Sequence, residues 1–149
     1  MLDEIREFHF HVYFFQSNAE HRARAMALRE RILQLNTSGY FTAVPLARIN
    51  DEPRGPHPTG SYEVWVPCES FWRVYQFFLK ERNGLSVLVH PLTRQEIADH
   101  TERAVWMGAP LPLDMAALQP LLPSIPKQHE ELKLGYSAEE DNKQAALHV

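Results

Sequence analysis

Histidines two apart on an extended chain point to one face with Cα atoms about 6.6–6.8 Å apart, so both can reach a single ion. The sequence carries such a pair in His9 and His11. Two further histidines sit where the backbone is restrained: His57 between prolines in GPHPTG, and His90 directly before Pro91 in VLVHPLT. His100, in DHTERAVW, either opens a helix as part of a capping sequence or touches the same site. Cys68 is the single cysteine, so a metal held by one chain takes histidine, aspartate or glutamate. Two or three imidazoles, with or without a carboxylate, leave open positions on a divalent first-row metal. Non-haem Fe(II) oxygenases use that arrangement to bind substrate beside O₂, and zinc suits the same ligands. An isolated H-x-H is more often a half-buried or surface feature than a site. The case therefore depends on what the fold brings alongside it.

Periodicity supplies the elements. Glu7 to Phe15 alternates Phe8, Phe10, Val12 and Phe14 with His9, His11 and Tyr13, a strand with one apolar face and one that carries chemistry. A capping box at Ser17 and Glu20 opens a helix carrying Ala25, Leu28, Ile32 and Leu35, which stops near Asn36 to Gly39. Tyr40 to Ile49 reads as a second strand, confined to a sheet edge by Pro45. The loop DEPRGPHPTG leads into a third strand, Ser61 to Val66, with Tyr62, Val64 and Val66 on its apolar parity. Phe71, Val74 and Phe78 mark a second helix closed by Asn83-Gly84. Leu85 to His90 is the fourth strand, its apolar parity being Leu85, Val87 and Val89.

This β-α-β-β-α-β order predicts an α+β, ferredoxin-like antiparallel sheet in the order 4-1-3-2, with both helices on one face. With the apolar parities turned to the helices, His9, His11, Glu63 and His90 share the other face, and His57 reaches it on a loop. Tyr13, Trp65 and Leu88 on that face predict cover by a second copy, a homodimer. The expected division is a domain over residues 1–122, including a small helix around Asp114 to Leu122, and a polar tail or arm over 123–149.

The 149 residues, 44% hydrophobic and 11% aromatic, suffice for one packed domain. A formal charge of -4 gives no basic field for nucleic acid. No run approaches the ~20 apolar residues of a membrane span, and the acidic start MLDEIREFHF lacks signal-peptide character, so a cytoplasmic protein is expected. Cys68 stands at a strand-to-helix junction that could lower its pKa, but the sequence offers it no positioned base. Trp65, Trp72 and Trp106 read as packing residues before pocket walls. His21, His129 and His148 receive no role.

Four blocks occur together: HFHVYF at 9–14, GPHPTGSYEV at 55–64, GLSVLVHPLT at 84–93 and DHTERAVWMG at 99–108. In this order they resemble the DOPA 4,5-dioxygenase family, over roughly residues 5–120. The resemblance implies a ferredoxin-like dimer that opens a catechol ring between O₂ and a non-haem Fe(II), with zinc or another divalent metal as a possible replacement. It implies metal ligands among His9, His11, His57 and His90. His9 or His57, whichever is free of the metal, is then the acid/base, and Glu63, His100 and Arg54 are expected at the substrate. Arg6 and Arg94 are further candidates for a substrate carboxylate. Phe15 stands where the family pattern often has an acidic residue, which bears on substrate choice. The other reading is a non-catalytic metal- or ligand-binding module on the same fold.

Overall fold

A computed structural model describes residues 3–139. The first strand, β1 (Glu7–Phe14), lies mid-sheet because its alternating residues serve two buried faces. The chain then forms α1 (Ala19–Thr37), the short β2 (Val44–Pro45), β3 (Gly60–Pro67), α2 (Phe71–Glu81), β4 (Val87–Pro91), a one-turn α3 (Glu96–His100) and β5 (Val105–Met107). All pairings are antiparallel, in the order β2-β3-β1-β4-β5. The α+β class expected from the sequence is the one observed, with a fifth strand added beside β4.

One core fills the space between sheet and helices. Phe10, Val12 and Phe14 of β1, Val64 and Val66 of β3, and Val87 and Val89 of β4 meet Ala25 and Ile32 of α1 and Val74 and Phe78 of α2. Residues opposite one another in an antiparallel pair share a face. The register His9↔His90 and His11↔Glu63 therefore turns these four polar side chains together, away from the helices.

Local chemistry explains where the elements depart from expectation. The cap of α1 is Asn18, not Ser17: its backbone is extended and its Oδ1 accepts from the His21 amide at 3.0 Å. The second strand shrinks from Tyr40–Ile49 to Val44–Pro45, since side chains claim the donors before it. The Thr42 amide donates to Ser70 Oγ and the Ala43 amide to Asn36 Oδ1. The helix expected over 114–122 is a single 3-10 turn, Met115–Ala117, capped by Asp114. Pro120 disfavours helical backbone in the residue before it. His100 ends α3 rather than opening a helix.

The sheet face opposite the helices is covered by the chain itself. Tyr13, Trp65 and Leu88 are at most 1% exposed within one chain, so the uncovered apolar patch behind the homodimer expectation is absent. Part of the cover is the described portion of the segment expected as a polar tail, which folds back as a strap. The remainder, including His148, lies outside the described residues. Glu7, 1% exposed, fastens the strap: its carboxylate accepts from Trp65 Nε1 at 2.9 Å and from the Tyr136 amide at 3.0 Å. Tyr136 Oη donates to the Leu92 carbonyl at 2.7 Å. Gly135, at φ +61°, lies so close that a Cβ there would meet Glu7 Cγ at 2.5 Å. Burial raises the Glu7 pKa, opposed by the Trp65 hydrogen bond. Replacing Glu7 by Ala leaves the buried Trp65 Nε1–H and the half-buried Tyr136 N–H unpaired and is expected to destabilise the fold by about 1–3 kcal/mol, read as a lower urea midpoint.

Candidate metal centre

Five imidazoles converge on the strap-covered face. His9 and His11 come from β1, His90 from β4, His100 from the end of α3, and His57 from the loop before β3. His11 Nε2 and His90 Nε2 stand 3.0 Å apart, with their rings stacked at 5.1 Å. The His90 and His100 ring centres are 3.9 Å apart, and those of His11 and His57 are 4.5 Å apart. The ligand-capable atoms of His9, His11 and His90 all lie within 4.8 Å of one another, and all three residues are buried.

Hydrogen bonds set the tautomers. His90 Nδ1–H donates to the Pro91 carbonyl at 2.8 Å, leaving the lone pair on Nε2, which faces His11. Two nitrogens each bound about 2.1 Å from one ion, at right angles, would lie about 3.0 Å apart. The His11–His90 pair thus already has the spacing of two adjacent ligands. In the metal-free form one nitrogen carries a proton and donates to the other, so binding a cation displaces that proton. Three imidazole donors, one oriented by a backbone carbonyl, fit a divalent first-row metal.

His9 and His57 have different partners. His9 Nε2 lies 2.5 Å from Gln128 Oε1 and 3.2 Å from Glu63 Oε1, while Gln128 Nε2 donates to the same Glu63 oxygen at 2.9 Å. Both atoms facing His9 Nε2 are acceptors. The proton therefore sits on Nε2 and the free lone pair on Nδ1. His57 Nδ1 pairs with Tyr13 Oη at 2.8 Å.

The loop holding His57 is a tight turn in which Arg54 and His57 exchange both backbone hydrogen bonds, at 3.1 and 3.0 Å. Gly55 takes a φ of +56° at the first central position and Pro56, locked at negative φ, takes the second. That combination fits a II′ turn, which requires glycine first.

Burial keeps His9, His11, His57 and His90 neutral. It pushes His11 and His90 well below the ordinary imidazole value, neighbouring imidazoles adding to the effect. His57 falls to about 4, again chiefly through burial. His9 falls for the same reason, against an opposing pull from Glu63. Below pH 6.5, the ordinary value, the unfolded chain takes up protons that these buried rings refuse. Stability is therefore full above about pH 6.5 and lost on acidification, the His57 share levelling off below about pH 4. Metal-stripped protein is expected to show a lower urea midpoint at pH 5 than at pH 7.5.

Beside the cluster lies a cavity of about 190 Å³, lined by histidines and Glu63 on one side and by Leu92, Leu118, Leu122 and Pro126 on the other. It is smaller than the ~300 Å³ at which pockets for drug-sized ligands begin, which suits one ring. Arg54 lines an adjoining cavity of about 240 Å³. A larger hollow, about 470 Å³, contains Arg94 and Tyr136 but none of the five histidines. Arg94 donates its Nε to the Leu122 carbonyl and Arg6 pairs with Glu4, and neither lines the histidine cavity.

Tyr13 and Gln128 complete the site and were not read as site residues from sequence. Tyr13 shared the parity of His9 and His11, which was its signal, whereas Gln128 gave none. Phe15 stacks on His21 at 4.9 Å, outside the cluster. Cys68 is pushed up to about 12 by burial and then by Glu69, so the strand-to-helix junction yields no thiolate. Trp65 packs against His129, Trp106 packs against Tyr13, and Trp72 is exposed; none lines the histidine cavity.

The sequence profile described as the Dopa 4,5-dioxygenase family matches residues 8–117. A DOPA 4,5-dioxygenase of Amanita muscaria is 50% identical over 135 residues, covering 91% of this chain and 59% of that protein. An uncharacterized 21.2 kDa protein of Botryotinia fuckeliana is 38% identical over 123 residues, 76% of this chain and 64% of that protein. The chain thus spans about three-fifths of the length of these relatives. The crystal structure of a candidate dioxygenase from Nostoc punctiforme superposes with a TM-score of 0.67 at 35% identity, covering 78% of this chain and 96% of that one.

Proposed function

Because the chain belongs to the Dopa 4,5-dioxygenase family, we propose that it is a metal-dependent extradiol dioxygenase acting on a catechol. The observation carrying this reading is the buried trio His9, His11 and His90, set beside a ring-sized cavity that His57 also lines. His11 and His90 hold the metal through Nε2, and His9 supplies the third donor. Fe(II) is the proposed metal, and zinc would fit the same ligands without supporting oxygen chemistry. Held there, Fe(II) would supply the Lewis-acid and redox chemistry that oxidative opening of a catechol needs.

The remaining roles fall to the chain. Leu92, Leu118, Leu122 and Pro126 form an apolar wall that holds the ring and excludes water. His57, neutral at physiological pH and free of the trio, accepts a proton from the substrate hydroxyl and returns it later. Tyr13, whose phenol burial keeps protonated, holds the His57 ring through Nδ1. Glu63 and Gln128 lock His9 in one tautomer and orientation. His100, fixed through Nδ1 by the Glu96 carbonyl at 2.8 Å, turns its other nitrogen free for a contact to substrate. No helix of the described residues is long and apolar enough to cross a membrane.

Anaerobic reconstitution with Fe(II), followed by O₂ and a panel of catechols, tests the reading. Uptake of one O₂ per catechol with appearance of a yellow ring-opened product is expected. Stoichiometric Fe(II) binding without product from any catechol would overturn it and leave the non-catalytic metal-binding module.

A further inference from the structure

Two carboxylates are buried among the described residues: Glu7, which fastens the strap, and Asp99, which is 2% exposed and stands in the wall of the histidine cavity. Taking a carboxylate out of water is costly unless it is both paired and hydrogen-bonded. Asp99 is both. Its Oδ2 accepts from the Thr93 amide at 2.9 Å and from Thr93 Oγ1 at 2.8 Å, and its Oδ1 accepts from Arg103 Nη1 at 2.8 Å. The partners are themselves joined. Arg103 also donates to Thr93 Oγ1 at 3.2 Å and to Gln95 Oε1, and Thr93 Oγ1 accepts from the Gln95 amide at 3.0 Å.

This clasp encloses α3, since Thr93 precedes the helix, Arg103 follows it and Asp99 lies on it. A lone helix below about 12 residues is marginal in water, and α3 has five residues and no side-chain cap. Its hold must come from outside. Asp99 ties it to Thr93, three residues beyond His90 in the chain, so the clasp brings α3 back against the end of β4. His100 follows Asp99 directly. Its ring centre comes to 3.9 Å from that of His90, and its Nδ1 donates to the Glu96 carbonyl at 2.8 Å, which leaves Nε2 for the cavity. Arg103 lines the larger hollow of about 470 Å³ and not the histidine cavity. Whatever it does for the site therefore passes through Asp99.

We propose that Asp99 is a positioning residue: with Thr93 and Arg103 it sets where His100 presents Nε2 to the cavity. The effect on turnover rests on the catechol dioxygenase reading, in which His100 touches the substrate and Asp99 acts through it. A side chain that meets substrate is productive only while its neighbours hold it in place. Metal binding stays with His9, His11 and His90, so the clasp governs substrate and not metal.

The test reads the ring first and turnover second. Two imidazole N–H groups donate to backbone carbonyls, His90 to Pro91 and His100 to Glu96. In zinc-loaded protein each should give a resolved downfield proton resonance, assigned by His100→Ala, which removes one of them. Asp99→Asn and Arg103→Gln are expected to broaden the His100 resonance by exchange with water and to leave that of His90. The Arg103 side chain is 37% exposed, so its variant should keep the wild-type circular dichroism even where Asp99→Asn does not. Loaded with Fe(II), each variant should hold wild-type metal and lose about tenfold in kcat/KM, as should His100→Ala. In a His100→Ala background Arg103→Gln should cost nothing more, because residues that act through one another are not additive. A purely structural clasp predicts a lower urea midpoint with the His100 resonance unchanged, or losses that multiply in the double variant. Either result overturns the proposal, as does a wild type without the His100 resonance or a His100→Ala protein with full turnover. If no catechol is opened while Arg103→Gln still erases the His100 resonance, the clasp stands and the dioxygenase reading goes.

Discussion

Replacing His11 or His90 by alanine is expected to remove bound metal and ring-opening activity together. The two side chains project from adjacent strands with Nε2 atoms 3.0 Å apart, the spacing of two adjacent ligands once a cation displaces the proton they share. Loss of a residue that merely orients a ligand typically lowers metal affinity 10–100-fold, and loss of a ligand itself removes more. Metal analysis after Fe(II) loading and desalting should fall from one ion per chain to under about a tenth. The fold should persist, since neither ring belongs to the core between sheet and helices. A His11→Ala protein that keeps full metal occupancy would show that the ligand set has been misassigned.

His57→Ala should behave differently. Its Nδ1 is committed to Tyr13 and its ring lies outside the trio, so its loss leaves the donors of His9, His11 and His90 in place. Without a group to take and return the substrate proton, turnover should drop by about 10²–10⁴ at unchanged metal content. Tyr13→Phe should lower turnover less, because it frees the ring without removing it. If His57→Ala instead loses its iron in proportion to its activity, His57 is a ligand and His9, 3.2 Å from the Glu63 carboxylate, becomes the acid/base candidate.

The parts of this arrangement legible in the sequence are those that alternation encodes. Phe10, Val12 and Phe14 against His9, His11 and Tyr13 assign each side chain to a face, and a one-residue slip would exchange the two sets. The matching parities of β3 and β4 then place Glu63 and His90 beside the pair. Where short-range chemistry decides, the reading fails by a residue or more. Asn18 takes the cap from its neighbour Ser17, and Ser70 and Asn36 take donors from residues read as strand. β5 is three residues long, too short for alternation to register. Gln128 lies in a polar stretch with no period at all. Its place beside His9 and Glu63 is set by how the strap docks, through Glu7, Gly135 and Tyr136, and that docking has no local signature.

The hydrogen bond between His9 and Gln128 closes a loop of 119 residues, joining the first strand to nearly the last described segment. Loop closure becomes entropically harder as the intervening chain lengthens, and contacts this distant in sequence are made late and opened early. During synthesis from the ribosome, His9 and His11 emerge first. His90 and His100 follow, and the strap that roofs them emerges after all four. The nascent chain thus possesses an open half-site before it possesses a lid, and an ion can arrive through the side that later closes. Loading a stripped, folded chain with Fe(II) then depends on transient release of the strap, a local opening that costs less than unfolding the chain.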